Sequence, residues 1–306
     1  MVIAQRSATA FLSQSISRRT ALGVLAALAL PRHARADAVP ARIAAIDWSM
    51  LETLMALGAT HIAATELIRF RLDAVEPQIP ETVVDLGLRG APNFELLYLL
   101  KPDLILSSPY YVRNQAAFEK IAPVLSLPFY TPGEPPYVKA LDAVTIIGKH
   151  LRLEAKSTEV LDHQARFLSQ TRQILQKYAD RPTYVINIGD ARHFRSFGID
   201  SMFGDILDRL GLPNAWTDLS RFSFSAPVPL ENLAANPDAR IVIVSQIPVE
   251  ARNSLRNSVI WKSLMPVRQR RVYMLDNINP HGGITSGLRF ARLLKDALLV
   301  DRDLSP

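Results

Sequence analysis

From residue 42 onward, short apolar runs alternate with segments whose apolar residues recur at helical spacing, the pattern of parallel strands covered by helices. RIAAID over 42–47 predicts a first strand, and MLETLMALG carries Leu51, Leu54, Met55 and Leu57 at helical spacing before Gly58 stops it. Further strands are predicted over 61–64, 83–87 and 104–107, with a helix over 93–100 that Asn93 caps. Then the period changes. From about 137 to 178 the pattern is almost purely helical, broken near Leu151-Arg152-Leu153, and its second part, 154–178, contains no Gly or Pro. Such a helix reaches about 37 Å at 1.5 Å per residue, enough to run from one lobe to another. After Arg181-Pro182 the alternation resumes, with strands over 183–188, 241–245 and 272–275 and helices over 203–211 and 284–299.

An internal echo flanks the long helix. Glu95-Leu96-Leu97 leads to Lys101-Pro102-Asp103 and the run 104–106; Glu231-Asn232-Leu233 leads to Asn236-Pro237-Asp238 and the run 241–244. Each unit is a helix opening with a glutamate, a Pro-Asp turn and a buried strand. The predicted fold class is therefore α/β, with two lobes of mainly parallel sheet, 37–153 and 179–306, joined by a single long helix over 154–178. One large doubly wound domain with a long surface helix is the alternative, and shared Pro-Asp turn chemistry can produce such an echo by coincidence.

Residues 1–36 read as an export segment. Ser17-Arg18-Arg19 precedes the nine-residue run 22–30, and Ala34-Arg35-Ala36 supplies the small-x-small pattern of signal-peptide cleavage. The arginine pair before a mild, alanine-rich core marks a twin-arginine signal, so the expected location is the periplasm and the expected mature start Asp37. A membrane anchor would need about 20 apolar residues. This segment holds five of the 35 basic residues and no acid, leaving 30 basic against 29 acidic, a net of +1. A near-neutral surface gives no electrostatic case for nucleic acid or anionic lipid. With no cysteine in the chain, thiol chemistry, disulfides and cysteine metal sites are excluded.

Catalytic signatures are thin. The histidines at 61, 150, 163, 193 and 281 show no HExxH or HxxH spacing. Gly283-Ile284-Thr285-Ser286-Gly287 misses GxSxG because threonine holds the nucleophile position, and no GxGxxG or GxxxxGK[ST] occurs. What stands out is a set of aromatics and arginines at strand ends and loops, where alternating sheets place ligands. Trp48 follows the first strand, Arg89 follows 83–87, Tyr110 and Tyr111 follow 104–107, Phe194 and Arg195 follow 183–188, and Trp216, Phe222 and Phe224 precede Glu231. Aromatic walls with a few guanidinium donors suit a bulky ligand with an apolar body and oxygen-rich edges. Core packing is the competing account of Trp216, Phe222 and Phe194, and plain solvation that of Arg89.

The segments 42–48, 84–89, Pro92-Asn93-Phe94-Glu95-Leu96-Leu97, Pro213-Asn214-Ala215-Trp216 and 282–291 together resemble the ferric hydroxamate (ferrichrome-type) siderophore-binding proteins of ABC importers. The resemblance covers most of the chain after the export segment. It implies two αβα lobes joined by one rigid helix, with a shallow cleft between them and only small closure. It also implies that Arg89 and Tyr111 hold hydroxamate oxygens and that Glu95 and Glu231 dock onto the inner-membrane permease with its ATPase; the expected state of the protein is a monomer. Iron stays wrapped by the siderophore, so neither a protein metal ligand nor a cofactor is expected. The cleft list is Trp48, Arg89, Tyr111, Phe194, Arg195, Trp216, Phe222, Ser225 and His281. Asp73, Ser223 and Asn279 stand where the family often carries tryptophan, and Arg195 where a smaller apolar residue is usual, which points to a more polar cleft and a citrate-hydroxamate ligand. A cobalamin or haem receptor of the same architecture and an exported enzyme are the alternatives.

Overall fold

The computed structural model describes residues 40–220 and 227–300; the expected export segment, Phe222 and Ser225 lie outside the described residues. Two five-stranded sheets organise what is described. In the first half β1 (Ile43–Ala45), β2 (Ala63–Ala64), β3 (Val84–Asp85), β6 (Leu104–Ser107) and β7 (Val124–Ser126) lie in the order β3-β2-β1-β6-β7, every pair parallel. A tight hairpin, β4 (Gly87–Leu88) with β5 (Ala91–Pro92), projects after β3. Residues 43–46 are all buried, as expected of a central parallel strand covered on both faces.

The helices of this half are α1 (Trp48–Ala56), α2 (Leu67–Asp73), α3 (Phe94–Leu100), α4 (Gln115–Glu119), α5 (Tyr137–His150) and α6 (Glu154–Leu175). Asp47 caps α1 by accepting from Ser49 N, and Asn93 caps α3 by accepting from Leu96 N, so both helices begin where a short polar side chain can satisfy an orphan amide. Helix α5 ends where the sequence pattern breaks. Arg152 turns left-handed at φ 54, and Ser157 Oγ donates back to Val144 O at 3.1 Å, fastening α6 against α5. Helix α6 has 22 residues, about 33 Å long, and runs on through a 3-10 turn, Gln176–Tyr178.

The second half carries β8 (Thr183–Ile188), β9 (His193–Ser196), α7 (Met202–Arg209), β10 (Val228–Pro229), β11 (Arg240–Ile243), α8 (Val249–Asn257), α9 (Val259–Ser263), α10 (Met265–Arg268), β12 (Val272–Met274) and α11 (Ile284–Val300). Its sheet order is β10-β9-β8-β11-β12. Strands β8, β11 and β12 are parallel, whereas β9 and β10 pair antiparallel. The two echo strands, β6 and β11, each lie directly beside the first strand of their own sheet. Helix α11 packs on α6, on α7 and on α1, so the closing helix adds a second crossing between the halves. Leu51 and Leu54 of α1, Phe203 and Ile206 of α7, and Phe290 and Leu294 of α11 share one apolar core.

Candidate functional site

In the first sheet the polar chemistry gathers after the carboxyl ends of the parallel strands: Asp47 and Trp48 after β1, Thr65 and Glu66 after β2, Arg89 after β3, Ser108 and Tyr111 after β6. Asp85 shapes this rim, accepting from Gly87 N at 2.9 Å and Leu67 N at 3.0 Å. Gly87 takes φ +78, a conformation that costs glycine little, and so turns the chain into the hairpin whose tip is Arg89 and Gly90.

Arg89 is held on three sides. Its Nε donates to Glu66 Oε2 at 2.7 Å, its backbone N–H donates to Glu66 Oε1 at 3.2 Å, and its guanidinium lies 3.9 Å from the ring centroid of Trp48. A cation over an indole face is worth about 0.5–2 kcal/mol. Trp48 is itself fixed: Nε1 donates to Thr65 O at 2.9 Å, and Phe70 meets it edge-on at 5.1 Å. At 4% exposure it is the platform beneath Arg89.

Tyr111 sits in a 3-10 turn, Pro109–Asn114, with φ −101 and ψ 21, and Asn114 Nδ2 donates to Gly90 O at 3.1 Å, tying this turn to the Arg89 hairpin. Burial raises the phenol well above its usual range; Asp47 adds to the rise and Arg89 opposes it, so Arg89 lies within electrostatic reach of the hydroxyl. Tyr110 packs edge-on against Tyr111 at 5.1 Å and is otherwise exposed. Asp47 anchors the floor, accepting from Ser49 N at 2.8 Å and Ser108 Oγ at 2.6 Å.

His281 enters from the second half, after β12, with Tyr130 edge-on at 5.4 Å. The residue as a whole is solvent-exposed, but its ring faces Tyr130 and loses part of its hydration there. That desolvation, followed by the charge of Arg89, pushes its imidazole down to about 4, with Asp47 pulling the other way. Arg89, Tyr111, Trp48 and His281 are therefore brought together, with Asp47 and Glu66 behind them.

The remaining expected residues are placed differently. Phe194 is fully buried among Ile186, Val228 and Leu230 and meets Trp216 edge-on at 5.9 Å; strand alternation turns it to the core, which corrects its place on the cleft list. Arg195 takes the opposite face of β9, in register with Asn187 near the carboxyl end of β8. Trp216 is half-buried against the same core, with Nε1 donating to Leu219 O at 3.0 Å. Glu95 and Glu231 are both exposed in the first turn of short helices, α3 and the 3-10 turn Leu230–Ala235. The structure adds Asp47, Glu66, Ser108 and Tyr130 to the site. Asp47 and Glu66 share one signal in the sequence, a carboxylate two positions after the end of a short strand.

Between the halves lies a buried carboxylate. Glu52 of α1 is inaccessible to solvent and accepts from Asn279 Nδ2 at 2.8 Å and Ser286 Oγ at 2.7 Å on one oxygen. Its other oxygen accepts from Gly283 N at 2.8 Å and Ser286 N at 3.1 Å. Burial raises its pKa to about 7 against the pull of these four donors. Among the described residues no group of three or more His, Cys, Asp or Glu is placed to hold a metal ion.

Two α/β halves linked by a long helix, with hydrogen-bond donors gathered after the carboxyl ends of the first sheet's parallel strands, have the layout of a solute-binding receptor. Residues 43–278 match the family model described as periplasmic binding protein, and the chain belongs to that family. The iron(3+)-hydroxamate-binding protein FhuD of Escherichia coli (strain K12) is 31% identical over 287 residues, covering 92% of this chain and 97% of the relative. The achromobactin-binding periplasmic protein of Dickeya dadantii (strain 3937) is 26% identical, covering 92% and 94%. Among solved structures, the Fe3+-Desferal-bound siderophore-binding protein FhuD from Vibrio cholerae has the same fold, with a TM-score of 0.78 at 23% identity over 87% of this chain and 99% of that one.

Proposed function

We propose that this chain is the periplasmic substrate-binding protein of an ABC importer and captures a ferric siderophore, of hydroxamate or citrate-hydroxamate type, between its two lobes. One observation carries the reading: the Arg89 guanidinium sits over the Trp48 ring, 3.9 Å from its centroid, and within electrostatic reach of the Tyr111 hydroxyl. Neither an arginine nor a protonated phenol is a good metal ligand, but both donate hydrogen bonds. A ferric complex whose iron is already enclosed presents outward oxygens with residual negative charge, and each charge-assisted bond to them is worth about 1.5–3 kcal/mol. Binding and release suffice for the task, and no covalent step is assigned.

Titration of the purified chain with a ferric trihydroxamate, followed by fluorescence quenching, tests the reading. Micromolar or tighter binding that weakens at least tenfold in Arg89→Ala and several-fold in Tyr111→Phe is expected; wild-type affinity in both variants overturns it. Glu95 and Glu231 are the proposed permease contacts, supported by their exposure at matching places of the two halves. Reversing both to lysine is expected to abolish uptake into cells while leaving siderophore binding intact. The reading includes twin-arginine export of a monomer; replacing Arg18 and Arg19 by lysine is expected to retain the chain in the cytoplasm.

A further inference from the structure

Glu66 has no part in the function proposed above, yet the chain holds it in an uncommon conformation. Its φ is 51, the left-handed region that costs a non-glycine residue about 1–2 kcal/mol. Its own N–H donates to Gly87 O at 2.8 Å, and its carboxylate reaches the Arg89 Nε and backbone N–H. At 17% side-chain exposure against 29% for Arg89, the pair is only partly open to solvent. With Nε taken and one face of the guanidinium on Trp48, the two terminal nitrogens remain, and they donate to no protein acceptor among the described residues.

The charges count the same way. Glu66 is in contact with Arg89, and Asp47, bonded to Ser108, lies within electrostatic reach of Tyr111 and His281. His281, pushed down to about 4, carries no compensating proton at neutral pH. The first-half cradle therefore sets Arg89 against Glu66 and Asp47, with Asp85 a third carboxylate at the base of the hairpin.

On the ferric-siderophore reading, we infer that Glu66 is a positioning and charge-setting residue: by engaging Nε and offsetting the guanidinium charge, it makes the Arg89–Glu66 pair a net-neutral, two-pronged donor that favours ferric complexes without net negative charge. Three hydroxamates balance Fe(III) and leave a neutral complex, whereas ligands with surplus carboxylates leave an anion. At several ångströms and an effective dielectric near 20, one unit charge separates two such ligands by about tenfold or more. This choice runs against the preference for carboxylates expected from Arg195.

The test compares wild type, Glu66→Gln and Glu66→Asp by calorimetric titration with a neutral ferric trihydroxamate and with anionic ferric dicitrate, at low and moderate salt, with thermal melts confirming folding. Wild type is expected to prefer the neutral complex by about tenfold or more. Glu66→Gln is expected to narrow or reverse that preference by about tenfold, with the shift shrinking as salt rises. Glu66→Asp keeps the charge at shorter reach, so it should weaken both complexes while preserving their ratio. An unchanged ratio in Glu66→Gln, or an equal shift in Glu66→Asp, overturns the assignment, as does a wild type that prefers the anion. Wild-type failure to bind either complex overturns the ferric-siderophore reading itself, and the role of Glu66 with it.

Discussion

Replacing Glu52 by alanine takes away the acceptor shared by Asn279, Ser286 and two backbone amides at the start of α11. Ser286 Oγ can rotate to another partner, but Asn279 is 1% exposed and the amides of Gly283 and Ser286 are fixed by the backbone. Each buried donor left unpaired costs about 1–3 kcal/mol, so Glu52→Ala should destabilise the fold by about 3–5 kcal/mol at pH 5. The pH dependence has a definite sign. The folded protein holds the Glu52 proton up to about pH 7, against 4.5 for an ordinary glutamate. Its contribution is therefore fully present below about pH 4.5 and is lost as pH rises toward 7, a fall of roughly 3 kcal/mol. Glu52→Gln keeps a carbonyl for the two backbone amides and cannot ionise, so it should lack this fall. Guanidinium unfolding of wild type, Glu52→Gln and Glu52→Ala at pH 5 and pH 8 measures both effects. Parallel pH profiles for wild type and Glu52→Gln, or a cost below about 1 kcal/mol for Glu52→Ala at pH 5, would refute the reasoning.

Gly282 is the neighbour this carboxylate tolerates least: a Cβ there would overlap Glu52 Oε1 and Ser286 Oγ, so Gly282→Ala should lower the melting temperature, whereas Gly90→Ala, with open space around it, should not. His281 should titrate near pH 4 by NMR instead of in the usual range near 6.5, and because the folded state resists its protonation, its contribution to stability should fade as pH falls from about 6.5 toward 4. His281→Asn should remove that acid-side loss in denaturant unfolding. Arg289, 5% exposed, bridges Glu76 at 2.7 Å and Asp276 at 3.2 Å and donates to Asn277 O at 3.0 Å. Arg289→Ala should cost about 2–3 kcal/mol in denaturant unfolding, while Arg292→Ala, at a side chain 42% exposed, should cost less than about 1 kcal/mol.

Much of the scaffold was legible because its signals are local. Strands β6 and β8 fall on the expected positions, Asn93 caps α3, and the chain breaks at 151–153 between α5 and α6. Strands β9 and β10 escaped notice: four and two residues are too short to display alternation, and their antiparallel pairing departs from the parallel pattern around them. Helices α8 to α10 are short or too polar to show an apolar stripe.

By itself the sequence determined the longer helices and the central parallel strands, because 3.6- and 2-residue periods are properties of the backbone that side-chain order reveals directly. It also supplied Arg89 and Tyr111 as candidates through their place after strands. Only the tertiary structure decided that Phe194 turns to the core while Arg195 turns away, since alternation says that neighbours face opposite sides but not which side is buried. It alone set Glu66 against Arg89, 23 positions on, and Glu52 against Ser286, 234 positions on. Such meetings depend on how sheets and helices pack, and no periodicity within a single element encodes the partner that a distant element delivers.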